Sequence, residues 1–390
     1  MALINLRNAL MAGKRLPYDA ELEYIRGTGT QYINSGLTVS NALRVKCRVS
    51  IEGVCWIFGG RTGGNNKQFS VYQQASTNIR WGYANASVDK TNSYGAHDID
   101  FNQNAVYFDG ALLHTFAAST FSSPSPLYIG TSSIYENGTP ASQCLIGNIY
   151  AFQVYVDGIL VRDYIPVRKG NVGYLYDRVS GKLFGNAGTG DFVLGPYVVP
   201  VEWLQSTTGT EHIDTGVLPS ADLRTKIRAS YMYNPILKNS SLFGSRTTAS
   251  SNDRYWINYD GHIEIGYGNY VATSLKLSTG ELVDIDFNYI ENGEHRFKVN
   301  DLVTTASGNP NTTVGIILFG RITGTTLTRC TARFYYADFI RNGVDVGKFR
   351  PVRVETEGAM MDVLTRRIYR NAGSGAFSYG NDLKYPIPAA

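Results

Sequence analysis

Apolar side chains in this sequence recur at every second position, in runs too short and too regular for helices. "RVKCRVSI" (Arg44–Ile51) and "AVYFDGALLHTF" (Ala105–Phe116) each place an apolar set on one strand face and a polar set on the other. Asp109-Gly110, Asp157-Gly158 and Asn342-Gly343 interrupt such runs as two-residue hairpin turns, in which glycine accepts positive φ. Only the start of the chain has helical spacing. In "MALINLRNALMAGKRLPYDAE", Leu3, Leu6 and Leu10 fall on one face of a short helix. Many short strands with frequent turns predict an all-β protein built from antiparallel two-sheet sandwiches.

The pattern also repeats. "EYIRGTGTQYINSGL" (Glu23–Leu37) matches "EWLQSTTGTEHIDTGV" (Glu202–Val217) with one inserted residue. "WIFGGR" ending at Arg61 matches "SLFGSR" ending at Arg246, and "RWGY" ending at Tyr83 matches "EIGY" ending at Tyr267. "HDIDFN" pairs with "VDIDFN", and "VYVDGILVRDYIPVR" with "DFIRNGVDVGKFRPVR", bringing Pro166 into register with Pro351. All matches keep their order, so the chain is two copies of one domain. Gly195, Pro196 and Pro200 punctuate the junction. The expected organisation is an N-terminal arm over residues 1–18, a first sandwich over 19–199, a second over 200–384 and a tail over 385–390. The arm has no counterpart before the second copy; it is either a docking segment or a frayed cap on the first sandwich.

Composition supports this division. A chain of 390 residues with 41 glycines and 27 tyrosines suits two domains of ordinary size and many turns. A net charge of +4 without a basic cluster argues against a nucleic-acid surface. No stretch is long and apolar enough to cross a membrane as a helix. Cys47, Cys55, Cys144 and Cys330 form no CxxC pair, and buried free thiols are expected.

The most distinctive match is "YLYDRVSGKLFGNAGTGDFVLGP" with "MMDVLTRRIYRNAGSGAFSYGND". Asp177, Ser180 and Gly181 predict a tight turn, and the Asn186 amide is suited to buried backbone groups. Gly188 and Gly373 are expected to hold positive-φ bends that return Phe192 and Phe377 to their cores. The second copy replaces Asp191 with Ala376, and no lysine–hydroxyl pair or helix follows, so the phrase reads as structural closure.

Chemistry has two candidate seats. Asp98 and Asp100, repeated as Asp284 and Asp286, share a strand face at ~6.5 Å, a spacing of interest for glycoside hydrolysis. The flanking glutamates of such a site are missing in the first copy, and Glu281 precedes its strand at the wrong spacing in the second, so the four aspartates are read as exposed groups bound by lysine, backbone or a calcium ion. His97, His114, His212, His262 and His295 have no serine or cysteine elbow beside them. Sugar binding needs an aromatic platform with polar neighbours. Trp81 and Tyr83 share a face, with Arg61 and Tyr72 on adjoining strands; the second copy offers Tyr255, Trp256, Tyr267 and Arg246. For each of them the alternative is burial between the sheets.

"FGGR", "DIDF", "VYFDG" and "YIPVRKGNVGYLYDRVSGKLFGNAGTGDFVLGP", with their second-copy partners, resemble the concanavalin A-like, laminin G-like jelly-roll domains of bacteriophage and prophage virion proteins. The resemblance covers both copies, nearly everything from Glu21 to Asp382. It implies two tandem jelly-roll β-sandwiches with a concave face or loops that often bind glycans; the missing catalytic motifs make a non-enzyme without an obligatory cofactor the expectation. The expected protein is a virion structural and adhesion component. Its arm would bind other virion proteins, its sandwiches would face host-surface or mucosal glycans, and it would form a homo-oligomer. A secreted or surface-bound bacterial carbohydrate-binding protein is the alternative, and a glycoside hydrolase a more distant one.

Overall fold

The computed structural model describes residues 16–63, 66–232, 240–249 and 252–384, and the arm leucines Leu3, Leu6 and Leu10 lie outside them. The chain divides into two units, Met1–Tyr197 and Val198–Ala390. Val198–Pro200 is already a strand of the second unit, pairing with Val344–Val354, so the junction falls before Val198 rather than at Pro200.

Each unit is a sandwich of two sheets whose named strands pair antiparallel, except that Ser240–Arg246 runs parallel to Gly320–Thr323 in the second unit. In the first unit the smaller sheet runs Ile33–Ser40, Ser122–Ile129, Cys55–Thr62, Asn66–Ala75, Asn78–Ala84, Ala86–Thr91 in spatial order. The larger sheet is centred on Leu43–Ile51, which lies between Gly95–Asn102 and Ile146–Val156. Such non-sequential neighbours are the jelly-roll signature. Alternation does what the sequence predicts: Val45, Cys47 and Val49 point inward, and the charged residues between them point out. The two sheets meet through aromatic rings. Phe69 stacks on Phe101 at 4.2 Å, and Phe58 meets Phe152 edge-on at 5.5 Å. In the second unit Phe243 and Tyr255 reach Phe287 in the same way, at 5.3 and 4.7 Å. All four cysteines are free and buried, as expected.

The predicted hairpins form. Asp109-Gly110, Asp157-Gly158 and Asn342-Gly343 all have positive φ at both positions, the geometry that matches strand twist.

The repeated phrase closes each sandwich. Asn186 accepts from the Tyr32 and Gly188 amides at 3.0 and 2.9 Å and donates to the Gly190 carbonyl at 2.6 Å. Asn371 accepts from His212 and Gly373 and donates to Gly375 in the same pattern. Phe192 and Phe377 are buried just beyond. The expectation about the glycines is corrected. Positive φ belongs to Gly190 (68°) and Gly375 (82°), not to Gly188 and Gly373. The latter two are glycines because a Cβ would overlap the carbonyl oxygens of Thr30 and Thr210. The turn before the phrase also persists where its sequence changes. Asp177 caps Ser180, with Gly181 at positive φ; Asp362 caps Thr365, with Arg366 taking the same backbone conformation at 63°.

Candidate functional site

On the smaller sheet of the first unit, the face turned away from the core is set by the same alternation that builds the core. Cys55 and Ile57 are buried inward, so Trp56 points outward. Val71 and Gln73 do the same for Tyr72, and Ile79 and Trp81 for Arg80. Strand register then aligns one row across four strands: Trp56, Tyr72, Arg80 and Asp89.

This row floors a cavity of about 350 Å³. The Trp56 and Tyr72 rings lie 4.6 Å apart, tilted by 33°. Arg61, at the end of the Trp56 strand, places its guanidinium 5.1 Å from the indole centre. Burial lowers its pKa from the ordinary arginine value. Arg80 is held by both carboxylate oxygens of Asp89, at 2.7 and 2.8 Å. One wall is the connection that follows Ser122–Ile129. From it Gln143 accepts the Tyr72 hydroxyl at 2.7 Å, and its carbonyl takes the Trp56 amide at 2.9 Å. The result is a half-exposed aromatic pair edged by guanidinium, amide and hydroxyl groups, the combination that fits a sugar's C–H face and its hydroxyl rim.

Of the predicted binding residues, Arg61 and Tyr72 line this cavity. Trp81 and Tyr83 do not. They share a face as expected, but it is the core face, where Trp81 is 0% exposed and Tyr83 donates its hydroxyl to the Ser119 carbonyl. Tyr255 and Tyr267 are likewise core residues. Their hydroxyls are satisfied internally, by Thr225 at 2.8 Å and by His295 at 2.9 Å, which is what lets them be buried. Trp256 is on the outer face yet only 4% exposed, because the Arg321 guanidinium lies over it at 4.6 Å. Arg246 lies close enough to Arg321 for their charges to interact.

Sequence reasoning missed Trp56, Arg80 and Gln143. The first two were legible in "CWI" and "IRW", where a residue between two core positions must face outward. Gln143 carried no such signal, since a connection fixes its position.

The aspartates are ion-paired across the larger sheets. Asp100 receives a bidentate contact from Arg44 at 2.8 and 2.6 Å, and Asp286 one from Arg224 at 2.7 and 2.5 Å. Asp98 meets Arg48 at 2.7 Å and Asp284 meets Arg228 at 3.5 Å. Arginine, rather than the expected lysine, fills this role. Asp100 and Asp286 do not fit a calcium site, because a guanidinium already occupies both oxygens of each, and Asp98 and Asp284 each have one arginine contact of their own. Among the described residues no cluster of three metal-ligating side chains occurs.

No protein-family model and no curated protein matches the sequence. Among solved structures, the mouse laminin alpha1 chain, domains LG4-5, is similar over 95% of this chain and 96% of its own, at 11% identity and a TM-score of 0.30. The NanB sialidase from Streptococcus pneumoniae, as its K499G mutant, is similar over 93% of this chain and 76% of its own, at 9% identity and a TM-score of 0.24.

Proposed function

We propose that this protein binds carbohydrate through the outer face of its first unit, as a structural and adhesion component of a phage virion that displays two lectin-like sandwiches. The observation that carries the binding reading is the Trp56–Tyr72 pair above a cavity edged by Arg61 and Gln143. Its size suits one or two sugar rings rather than a long groove-bound chain. The reading is of a binding protein rather than a glycosidase, since the strand-face carboxylates that a glycosidase would use are each committed to an arginine. The virion placement is supported by the sequence resemblance of both copies to virion jelly-roll domains, with the N-terminal arm as the attachment segment.

Glycan-array binding by the full chain tests the first part. Trp56→Ala should weaken binding of captured neutral glycans by at least tenfold while leaving the melting temperature within a few degrees. Unchanged binding would sink the site. Mass analysis of purified particles tests the second part, and absence of the chain from particles would leave the bacterial surface protein as the better reading.

A further inference from the structure

We infer that the second unit carries a separate site for an anionic saccharide, with the acidic group held by Arg321 and the sugar ring laid beside Tyr270. Arg321 is the second residue of the strand Gly320–Thr323 and lies on the Trp256 indole at 4.6 Å. It donates to Thr328 Oγ1 at 3.3 Å, while its Nε is buried without a hydrogen-bond partner. The Nε1 of Trp256, itself 4% exposed, is also buried without a partner.

Charge around Arg321 is unbalanced. Arg246 and Arg254 both act on it as like charges, and the acid that acts on it, Glu264, is committed elsewhere. Glu264 takes the Tyr270 hydroxyl on one oxygen and the Asn258 amide on the other, each at 2.6 Å. Among the described residues no carboxylate forms an ion pair with Arg321. Burial and the two neighbouring arginines push its guanidinium down to about 10. A cation so placed is costly alone and favourable once an oxyanion joins it. The planar fork, held in place by the indole, is preorganised for two parallel hydrogen bonds to a carboxylate or sulfate.

A bare anion would use only half of what is present. Tyr270 is 48% exposed, and its ring centre lies 6.1 Å from that of Trp256. Its hydroxyl is fixed by Glu264, so an oriented aromatic surface stands beside the cationic cluster. That pairing selects a sugar bearing a carboxylate or sulfate.

The site is independent of the one in the first unit, and calorimetry on the full chain separates them. The probes are a uronic-acid trisaccharide, its methyl ester, a sulfated trisaccharide, its desulfated form, and sodium sulfate alone. At least one of the two acidic trisaccharides should bind, its neutral counterpart at least tenfold more weakly, and the affinity should fall as NaCl rises. Arg321→Gln should cost at least tenfold, whereas the exposed charge-matched control Arg367→Gln and the first-unit variant Trp56→Ala should change nothing. Tyr270→Ala, at an exposed position, should weaken the same ligand severalfold and serves if Arg321→Gln lowers the melting temperature. The proposal is overturned if neither acidic trisaccharide binds, if the neutral form binds equally, or if sulfate alone binds as tightly. Unchanged affinity in Tyr270→Ala or in a folded Arg321→Gln overturns it too, as does loss of binding in Trp56→Ala.

Discussion

The two units furnish the same sheet face with different side chains. In the first, the row across the strands reads Trp56, Tyr72, Arg80, Asp89, and the next row reads Gly59, Ser70, Gly82, Ser87. In the second unit the first of these rows becomes Ser241, Asn258, Glu264, and the other becomes Gly244, Trp256, Gly266. The tryptophan has moved by one row and one strand, to the place Ser70 holds in the first unit. There it lies flat on Gly266, and the position of the aromatic pair holds a polar ladder in which Ser241 donates to Asn258 at 2.8 Å and Asn258 to Glu264 at 2.6 Å. One arrangement leaves an aromatic pair with unfilled space above it. The other closes its polar ladder on itself and covers its indole with Arg321, leaving Trp256 Nε1 and Arg321 Nε buried without partners. A shared fold therefore fixes where a face lies, while two or three side chains decide which groups that face presents.

Truncating the two tryptophans should break this symmetry most clearly. Trp256→Ala removes a nearly buried indole from between a glycine and an arginine, and should cost about 3–5 kcal/mol of stability in chemical denaturation. Trp56→Ala should cost under about 1 kcal/mol, because its ring is half-exposed, and should act on binding instead. Equal stability losses would mean that both rings only pack.

The closure phrase should behave alike in the two units. Gly188→Ala and Gly373→Ala each force a Cβ against a backbone carbonyl, and each should destabilise by about 2–3 kcal/mol. A cost confined to one variant would show that only one unit depends on the close approach.

The row glycines sharpen the contrast on a smaller scale. A Cβ at Gly266 would meet the Trp256 ring, whereas one at Gly82 would meet the Gln68 amide and the Ser70 hydroxyl, side-chain ends that can turn aside more readily than an indole. Gly266→Ala should therefore cost about 1–3 kcal/mol and Gly82→Ala less than about 1 kcal/mol. Reversal of that order would contradict the packing described.

The smallest expected effect is on pH dependence. Glu211 stands where the first repeat has Gln31 and is 1% exposed. Burial alone would push its carboxyl up, but backbone amides of Glu211 and Thr208 and the hydroxyls of Ser206 and Thr208 outweigh that and hold it below the ordinary range. A depressed folded value means that the stabilisation is present above the unfolded pKa of about 4.3 and is lost as pH falls through the folded value. Melting temperatures between pH 6 and 3 should fall less steeply for Glu211→Gln than for the parent chain. Parallel curves would remove Glu211 from the acid response.

Much of the fold was legible because strands announce themselves locally. The Asp-Gly and Asn-Gly turns and the alternation in "RVKCRVSI" depend on neighbours one to four residues apart, and the repeat is visible by comparing one half of the sequence with the other. The candidate site was legible by half. Arg61 and Tyr72 were found, but Trp81 and Tyr83 were placed on the wrong side of the sheet, because sharing a face says nothing about which face it is. Ile79, two residues before Trp81, held that answer: an isoleucine, a tryptophan and a tyrosine at alternate positions make a core set, which leaves Arg80 to the outside. Gly188 was misread for a different reason. A close approach to Thr30, more than 150 residues away in sequence, leaves no trace in the residues beside the glycine.

The asparagine that closes each sandwich also sets when that sandwich can finish folding. Asn186 ties the last part of the first unit to Tyr32, 154 residues earlier, and Asn371 does the same for His212 across 159 residues. Contacts of such sequence separation raise contact order and come late, after the loop-closure entropy has been met by other pairings. On a ribosome, each unit must hold its opening strand unsealed until nearly its whole length has emerged, so the first seals before the second can, and the chain matures as two successive latching events.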